Sequence, residues 1–188
     1  MQELNVSLFH WMAAGNTPHP QILWIASLLA VGTAWLCGAF VIGAAWRHPS
    51  QRKYVIATLV AAAAASVVSH AIAAAINMPR PFVAGLSPSY IEHGARGSMP
   101  STHATVMFAV ALILCLRPTL RMTGLAVLLI GIVTGWARVY VGVHFPLDVL
   151  GGFVLAVAIA GVFWVLVKLS HRFIDPPHSS TIRSASPD

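Results

Sequence analysis

Charge is scarce in this chain. Only 9% of its 188 residues are Asp, Glu, Lys or Arg, and the acidic residues number 5 against 11 Lys and Arg. A soluble domain carries about 25% charged residues, so the shortage excludes one, and the 57% apolar content assigns the chain to lipid. Cysteine is equally sparse. Cys37 and Cys115 both fall inside apolar runs, which argues against a disulfide framework. The opening "MQELNVSLFHWMAAGNTPHP" lacks the Lys/Arg-rich start of a signal peptide. It reads as a short amphipathic helix lying at the membrane surface, closed by Gly15 and Pro18. No internal repeat is visible.

What is present is apolar length. Crossing a bilayer core of about 30 Å takes roughly 20 apolar residues, and the expected spans are Ile22–Trp46, Tyr54–Ile76, Ser101–Leu116, Leu120–Val139 and Phe145–Leu169. The third is short, reaching only about 24 Å at ~1.5 Å per residue, so one of its ends is expected below the membrane surface. The fold expected is an all-α polytopic membrane helix bundle of about five spans plus an N-terminal surface helix. It forms a single domain over 1–175, and the Ser- and Pro-rich tail 176–188 is expected to be disordered.

Basic residues orient the bundle. With five spans, one set of connections holds Arg47, Arg52, Lys53, Arg117, Arg121, Lys168, Arg172 and Arg183, and the other holds Arg80, Arg96 and Arg138. The richer side belongs in the cytoplasm. The net charge of +6 therefore reflects topology and needs no nucleic-acid partner. It also puts the N-terminus and the loop 77–100 outside, where three arginines require another explanation.

Their neighbours supply one. "NMPRPF" carries Arg80, "MPSTH" carries Ser101 and His103, and "ARVYVGVHFPLD" carries Arg138, His144 and Asp148, all on the outer side. Ionisable groups gathered at one end of a membrane bundle mark a functional site. Arginine forks match phosphate oxygens and keep their charge, so Arg80 and Arg138 can clamp a phosphoryl group. Ser101 stands at the N-cap position, where the free amides of Thr102 and His103 form an anion site. Asp148, four residues after His144, can fix one imidazole nitrogen and leave the other free to attack phosphorus. His103 is then the proton donor for the leaving oxygen.

At these residues the sequence resembles the type 2 phosphatidate phosphatase superfamily, whose blocks read Lys-x6-Arg-Pro, Pro-Ser-Gly-His and Ser-Arg-x5-His-x3-Asp. Here they stand as Arg80-Pro81, Pro100-Ser101-Thr102-His103 and Ala137-Arg138 with His144 and Asp148 at the family spacing. Within that superfamily "RPFVAGL", "EHG" and "SMPSTHATVMFA" look most like the bacterial undecaprenyl-diphosphate phosphatases. The resemblance implies removal of the terminal phosphate of the cell-wall lipid carrier. It implies a phosphohistidine on His144 and a site facing the periplasm or cell exterior from the bacterial cytoplasmic membrane. Three positions depart from the pattern: Ala73 replaces the lysine, Thr102 the glycine and Ala137 the serine. His70, three residues before Ala73 on the same helix face, and Arg96 are candidates to restore the lost positive charge.

Glu92 and His93 lie in the outer loop and read as solvated residues, with Glu92 kept beside His70 and Arg96 as an accessory candidate. The expected partners are a polyprenyl lipid diphosphate and the bilayer. No cofactor and no metal are expected, because arginines and a helix dipole supply the positive field. Two rival readings change the substrate or the class. One is a phosphatase of phosphatidate, phosphatidylglycerol phosphate or a lipid A phosphate. The other is a haem or metal membrane protein ligated through His70, His103 and His144.

Overall fold

Long runs of Ala, Leu and Val fold as helices here because backbone polar groups in lipid find partners only within their own segment. The computed structural model describes residues 2–174, and no strand occurs among them. The helices are α1 (Gln2–Met12), α2 (Pro20–Arg47), α3 (Arg52–Ile76), α4 (Thr102–Cys115), α5 (Arg121–Tyr140) and α6 (Pro146–Ile174). Prolines open α2 and α6, where the missing amide hydrogen costs nothing. Pro49 and Pro118 begin the short 3₁₀ turns at the end of the bundle that carries Arg47, Arg52, Arg117 and Arg121. Helices α2 to α6 match the five expected spans to within a few residues. Four of them are long and apolar enough to cross a membrane, and α4 is the shorter apolar helix. The expected C-terminal tail, 176–188, lies outside the described residues.

Helix α4 is short because it is central. It packs against α3, α5 and α6, and buried residues run around its whole circumference from Ala104 to Leu114. A helix that is apolar on all sides belongs inside a bundle. Its neighbours meet it through small residues. On α3 the buried stripe is Val55, Thr58, Ala62, Ala65, Ser69 and Ala73, spaced three or four apart, so one face is turned inward. Helix α2 packs mainly on α5, with Ala26 and Ala30 fully buried and Thr33 Oγ1 2.7 Å from Thr134 Oγ1. Small side chains let backbones approach, which replaces the missing hydrophobic drive between helices in lipid. Helix α4 is only 14 residues long, about 21 Å, and its first residues, Thr102 and His103, line a cavity together with residues of the connection 77–101.

The N-terminal helix departs in one respect from a helix resting on lipid headgroups, because its inner face is docked on the bundle. Phe9 is fully buried, packed with Val139 and Phe145, and its ring meets that of Phe145 edge to face at 5.4 Å. One turn earlier, Asn5 is 2% exposed and its Oδ1 accepts the Leu147 amide at 3.2 Å. That amide is one of the unpaired donors at the start of α6. Leu4 and Trp11 remain exposed on the opposite face. Helix α1 thus buttresses the connection between α5 and α6. Phe9→Ala should cost about 3 kcal/mol of stability, read as a lower thermal midpoint in detergent. An unchanged midpoint would show that α1 does not hold this connection.

Candidate active site

Asp148 organises one end of the bundle. It is the third residue of α6, and its Oδ2 accepts the amide of Phe145 at 2.7 Å, the reciprocal half of a capping box. A carboxylate there also answers the positive end of the helix dipole. The same oxygen accepts the Ser98 hydroxyl and faces His144 Nδ1 at 3.3 Å, a long contact. An ionised carboxylate only accepts, so the His144 proton sits on Nδ1 and Nε2 carries the lone pair. The turn leading to His144 needs Gly142, whose φ of +81° suits glycine and whose missing side chain leaves room for the Pro88 carbonyl and the Ser87 hydroxyl. The Val143 and His144 amides both donate to the Arg138 carbonyl, at 3.2 and 3.3 Å.

Two arginines converge on that imidazole. Arg80 is 6% exposed and donates to three backbone carbonyls: Arg96 from Nε at 2.9 Å, Val143 from NH1 at 2.9 Å and Gly97 from NH2 at 3.2 Å. Its NH1 also lies 3.1 Å from His144 Nε2. Arg138 is 2% exposed, donating from NH1 to the Ala30 carbonyl at 3.1 Å and from NH2 to His93 Nε2 at 2.7 Å, while its Nε has no partner. Among the described residues the only ion-pair contact is His144 with Asp148. Both guanidinium groups are therefore buried without a carboxylate of their own. A buried charge left unpaired is costly, and an anion entering beside them would remove that cost.

The space for an anion exists. A cavity of about 910 Å³ is lined by both arginines, His93, His103, His144, Thr102, Ala73, Asn77, His70 and Arg96. The His103 side chain makes no hydrogen bond among the described residues, so its ring is available to a ligand. The expected residues distribute unevenly. Arg80, Arg138, His103, His144 and Thr102 share the cavity wall, and His70 and Arg96 stand exposed on it. Glu92 is exposed and does not line it. Ser101 is the N-cap by position, but its hydroxyl makes no capping bond and is buried without a partner. The α4 start is tied instead by the Ser101 amide donating to the Asp148 carbonyl at 2.9 Å. Thr102 Oγ1 is paired with Ser69 at 3.0 Å. Where the expected pattern has lysine, Ala73 is 7% exposed, and the Gly97 backbone lies against its carbonyl in a space that a Cβ would fill.

Sequence reasoning missed Ser98 and His93. Ser98 is fully buried and shares Oδ2 of Asp148, although it opens the "SMPSTH" run. His93, expected from the sequence to be solvated, lines the cavity, contacts Arg138 and stands edge-on to His144 with ring centroids 5.9 Å apart. Among the described residues no three His, Cys, Asp or Glu side chains gather as a metal-ligand set.

Sequence similarity assigns the class, a PAP2-type membrane phosphatase. The chain belongs to the PAP2 superfamily, whose model matches residues 54–172. It is 31% identical over 163 residues to undecaprenyl-diphosphatase BcrC of Bacillus subtilis, covering 86% of this chain and 83% of that relative. In structure it is similar to LpxE of Aquifex aeolicus, with a TM-score of 0.69 at 22% identity, covering 86% of this chain and 95% of that one. It is also similar to the transmembrane PAP2 type phosphatidylglycerolphosphate phosphatase of Bacillus subtilis, with a TM-score of 0.68 at 22% identity, covering 92% and 88%.

Burial holds His144 far under the usual histidine value, from 6.5 to about 3, with the Asp148 hydrogen bond opposing and the two arginines reinforcing the shift. Nε2 is thus unprotonated at neutral pH. Because the folded value is depressed, the stability this neutral ring contributes is complete above the unfolded pKa of about 6.5. It is lost as pH falls from there toward 3. The thermal midpoint should therefore drop on acidification through that window, and His144→Gln should flatten the drop. The same acid loss in that variant would assign the proton uptake elsewhere.

Proposed function

We propose that this protein hydrolyses the terminal phosphate of undecaprenyl diphosphate through a phosphohistidine on His144, with its site on the outer face of the bacterial cytoplasmic membrane. The observation that carries this reading is the pair of buried arginines, without carboxylate partners, beside the unprotonated Nε2 of His144. Nε2 attacks the terminal phosphorus in line. The bond from phosphorus to the bridging oxygen breaks, its electron pair leaves with the lipid monophosphate, and His103 supplies that oxygen with a proton. Arg80 and Arg138 hold the equatorial oxygens together with the amides at the head of α4, and the unpartnered Ser101 hydroxyl completes the donor set. In the second step His103 takes a proton from water. The hydroxide attacks phosphorus, Nε2 leaves, and inorganic phosphate is released.

Three further features support the substrate. The cavity, about 910 Å³, exceeds what one phosphate occupies, and the exposed His70 and Arg96 on its wall suit a second phosphate. The relative named undecaprenyl-diphosphatase covers most of the chain. The site shares its end of the bundle with Arg80, Arg96 and Arg138, while Arg47, Arg52, Lys53, Arg117 and Arg121 lie at the other, richer end, which points the site away from the cytoplasm.

The test is phosphate release by wild type and His144→Ala from undecaprenyl diphosphate, phosphatidate and phosphatidylglycerol phosphate. Wild type should prefer the diphosphate in kcat/KM, and the variant should lose at least about 10⁴-fold on every substrate while keeping its detergent elution profile. Activity retained in the variant would remove the phosphohistidine. Equal turnover of all three lipids would replace the substrate while leaving the chemistry.

A further inference from the structure

Arg138 offers five N–H groups, and the protein uses them unevenly. One goes to the Ala30 carbonyl and one to His93 Nε2, leaving the Nε hydrogen and a second hydrogen on each terminal nitrogen without a protein partner. Nε and NH2 lie along one edge of the planar group, so the Nε hydrogen and the remaining NH2 hydrogen can present a two-pronged edge of the kind that grips a phosphate. What aims that fork is the pair of acceptors behind it. Ala30 is backbone on α2 and cannot change. His93 is a side chain from the loop 77–101, and it can.

The hydrogen bonds of His93 define its proton. Nδ1 lies 3.1 Å from the Gly94 carbonyl, which only accepts, so Nδ1 carries the hydrogen. Nε2 lies 2.7 Å from Arg138 NH2, which only donates, so Nε2 carries a lone pair. Neutral His93 satisfies both contacts. A doubly protonated ring would set N–H against N–H at 2.7 Å and place a cation beside a guanidinium.

We propose that His93 is a positioning residue whose neutral ring holds the Arg138 fork toward the phosphate, and that protonation of His93 releases the fork and weakens anion binding. This extends the phosphatase reading to a control by pH that resides outside the reacting groups. The groups facing His93 from every neighbouring element are mostly cationic or basic. Arg138 comes from α5, His144 from the connection after it, Arg80 from the connection after α3, His103 from α4, and His70 lines the same cavity from α3. Glu92, its chain neighbour, is exposed. Desolvation keeps the His93 pKa below the usual histidine value, the Gly94 hydrogen bond opposing and Arg80 and Arg138 adding to the depression. The neutral form therefore persists at neutral pH, and the tether fails only on acidification.

Glutamine separates the hydrogen bond from the titration, because its carbonyl oxygen accepts from Arg138 and it takes up no proton. The experiment measures the dissociation constant of inorganic phosphate for the full-length protein in detergent, across the acid range, for wild type, His93→Gln and His93→Leu. Thermal midpoints confirm that each is folded. The titration of phosphate itself is common to all three, so the differences between them carry the answer. His93→Gln should bind like wild type near neutrality and then fall less steeply with acid, the two separating by roughly tenfold or more. His93→Leu should bind about tenfold to a hundredfold more weakly at every pH, the worth of a hydrogen bond to a charged group.

Parallel acid curves for wild type and His93→Gln would overturn the proposal, as would wild-type affinity in His93→Leu. Should the leucine variant fail to fold, the glutamine comparison still decides. Wild-type protein that shows the His93 effect on phosphate but hydrolyses no lipid phosphate would defeat the phosphatase reading and uphold this one. Failure to bind phosphate at any pH would overturn both.

Discussion

Two guanidinium groups buried within one end of a membrane bundle, with no carboxylate to share, are the constraint around which this molecule is built. Removing an ion from water into a low-dielectric interior costs several kcal/mol even after relaxation. The chain offsets that cost with neutral dipoles rather than with counter-charge. Arg80 is held by the carbonyls of Arg96, Gly97 and Val143, and Arg138 by the carbonyl of Ala30 and the ring of His93. Carbonyls satisfy the donors but cancel little of the charge. The residual field is directed at the cavity, where an entering phosphate would be the missing counter-ion.

The one carboxylate buried at this end among the described residues is committed elsewhere. Asp148 Oδ2 caps α6 through Phe145, accepts Ser98 and orients His144, so one oxygen links helix start, loop and imidazole. Such sharing explains why α1 matters to a site it does not line. Phe9 packs on Phe145 and Asn5 accepts the Leu147 amide, so the N-terminal helix grips the two residues on either side of Pro146. Proline there starts α6 cleanly, and Gly142 turns the chain before it. Stability and site geometry are thus written on the same short segment, 138–148.

Much of this was legible in the sequence, for identifiable reasons. Helices α2 to α6 declared themselves by apolar length, since lipid tolerates little else. Arg80, Arg138, His144 and Asp148 declared themselves by being ionisable at helix ends, in order and on one side. His93 did not. Its partner Arg138 is 45 residues away, and a loop histidine beside Glu92 carries no local sign of such a partner. Ser101 reads as an N-cap from its neighbours, yet the cap bond is absent and the Asp148 carbonyl ties that turn instead. The docking of α1 was hidden because the same amphipathic pattern serves lipid headgroups and protein alike. Only Asn5 at i and Phe9 at i+4, a polar and an aromatic residue on one face, hinted that the face meets something with hydrogen-bond donors.

A phosphohistidine mechanism requires that phosphorus move to His144 before it reaches water. A rapid-quench experiment with undecaprenyl diphosphate labelled in its terminal phosphate addresses this step. Within a single turnover, label should appear on the protein as an acid-labile, base-stable adduct, map to the peptide containing His144, and decay as inorganic phosphate forms. Turnover of the same substrate with no protein-bound label at any time, or with label on a peptide lacking His144, would contradict the account.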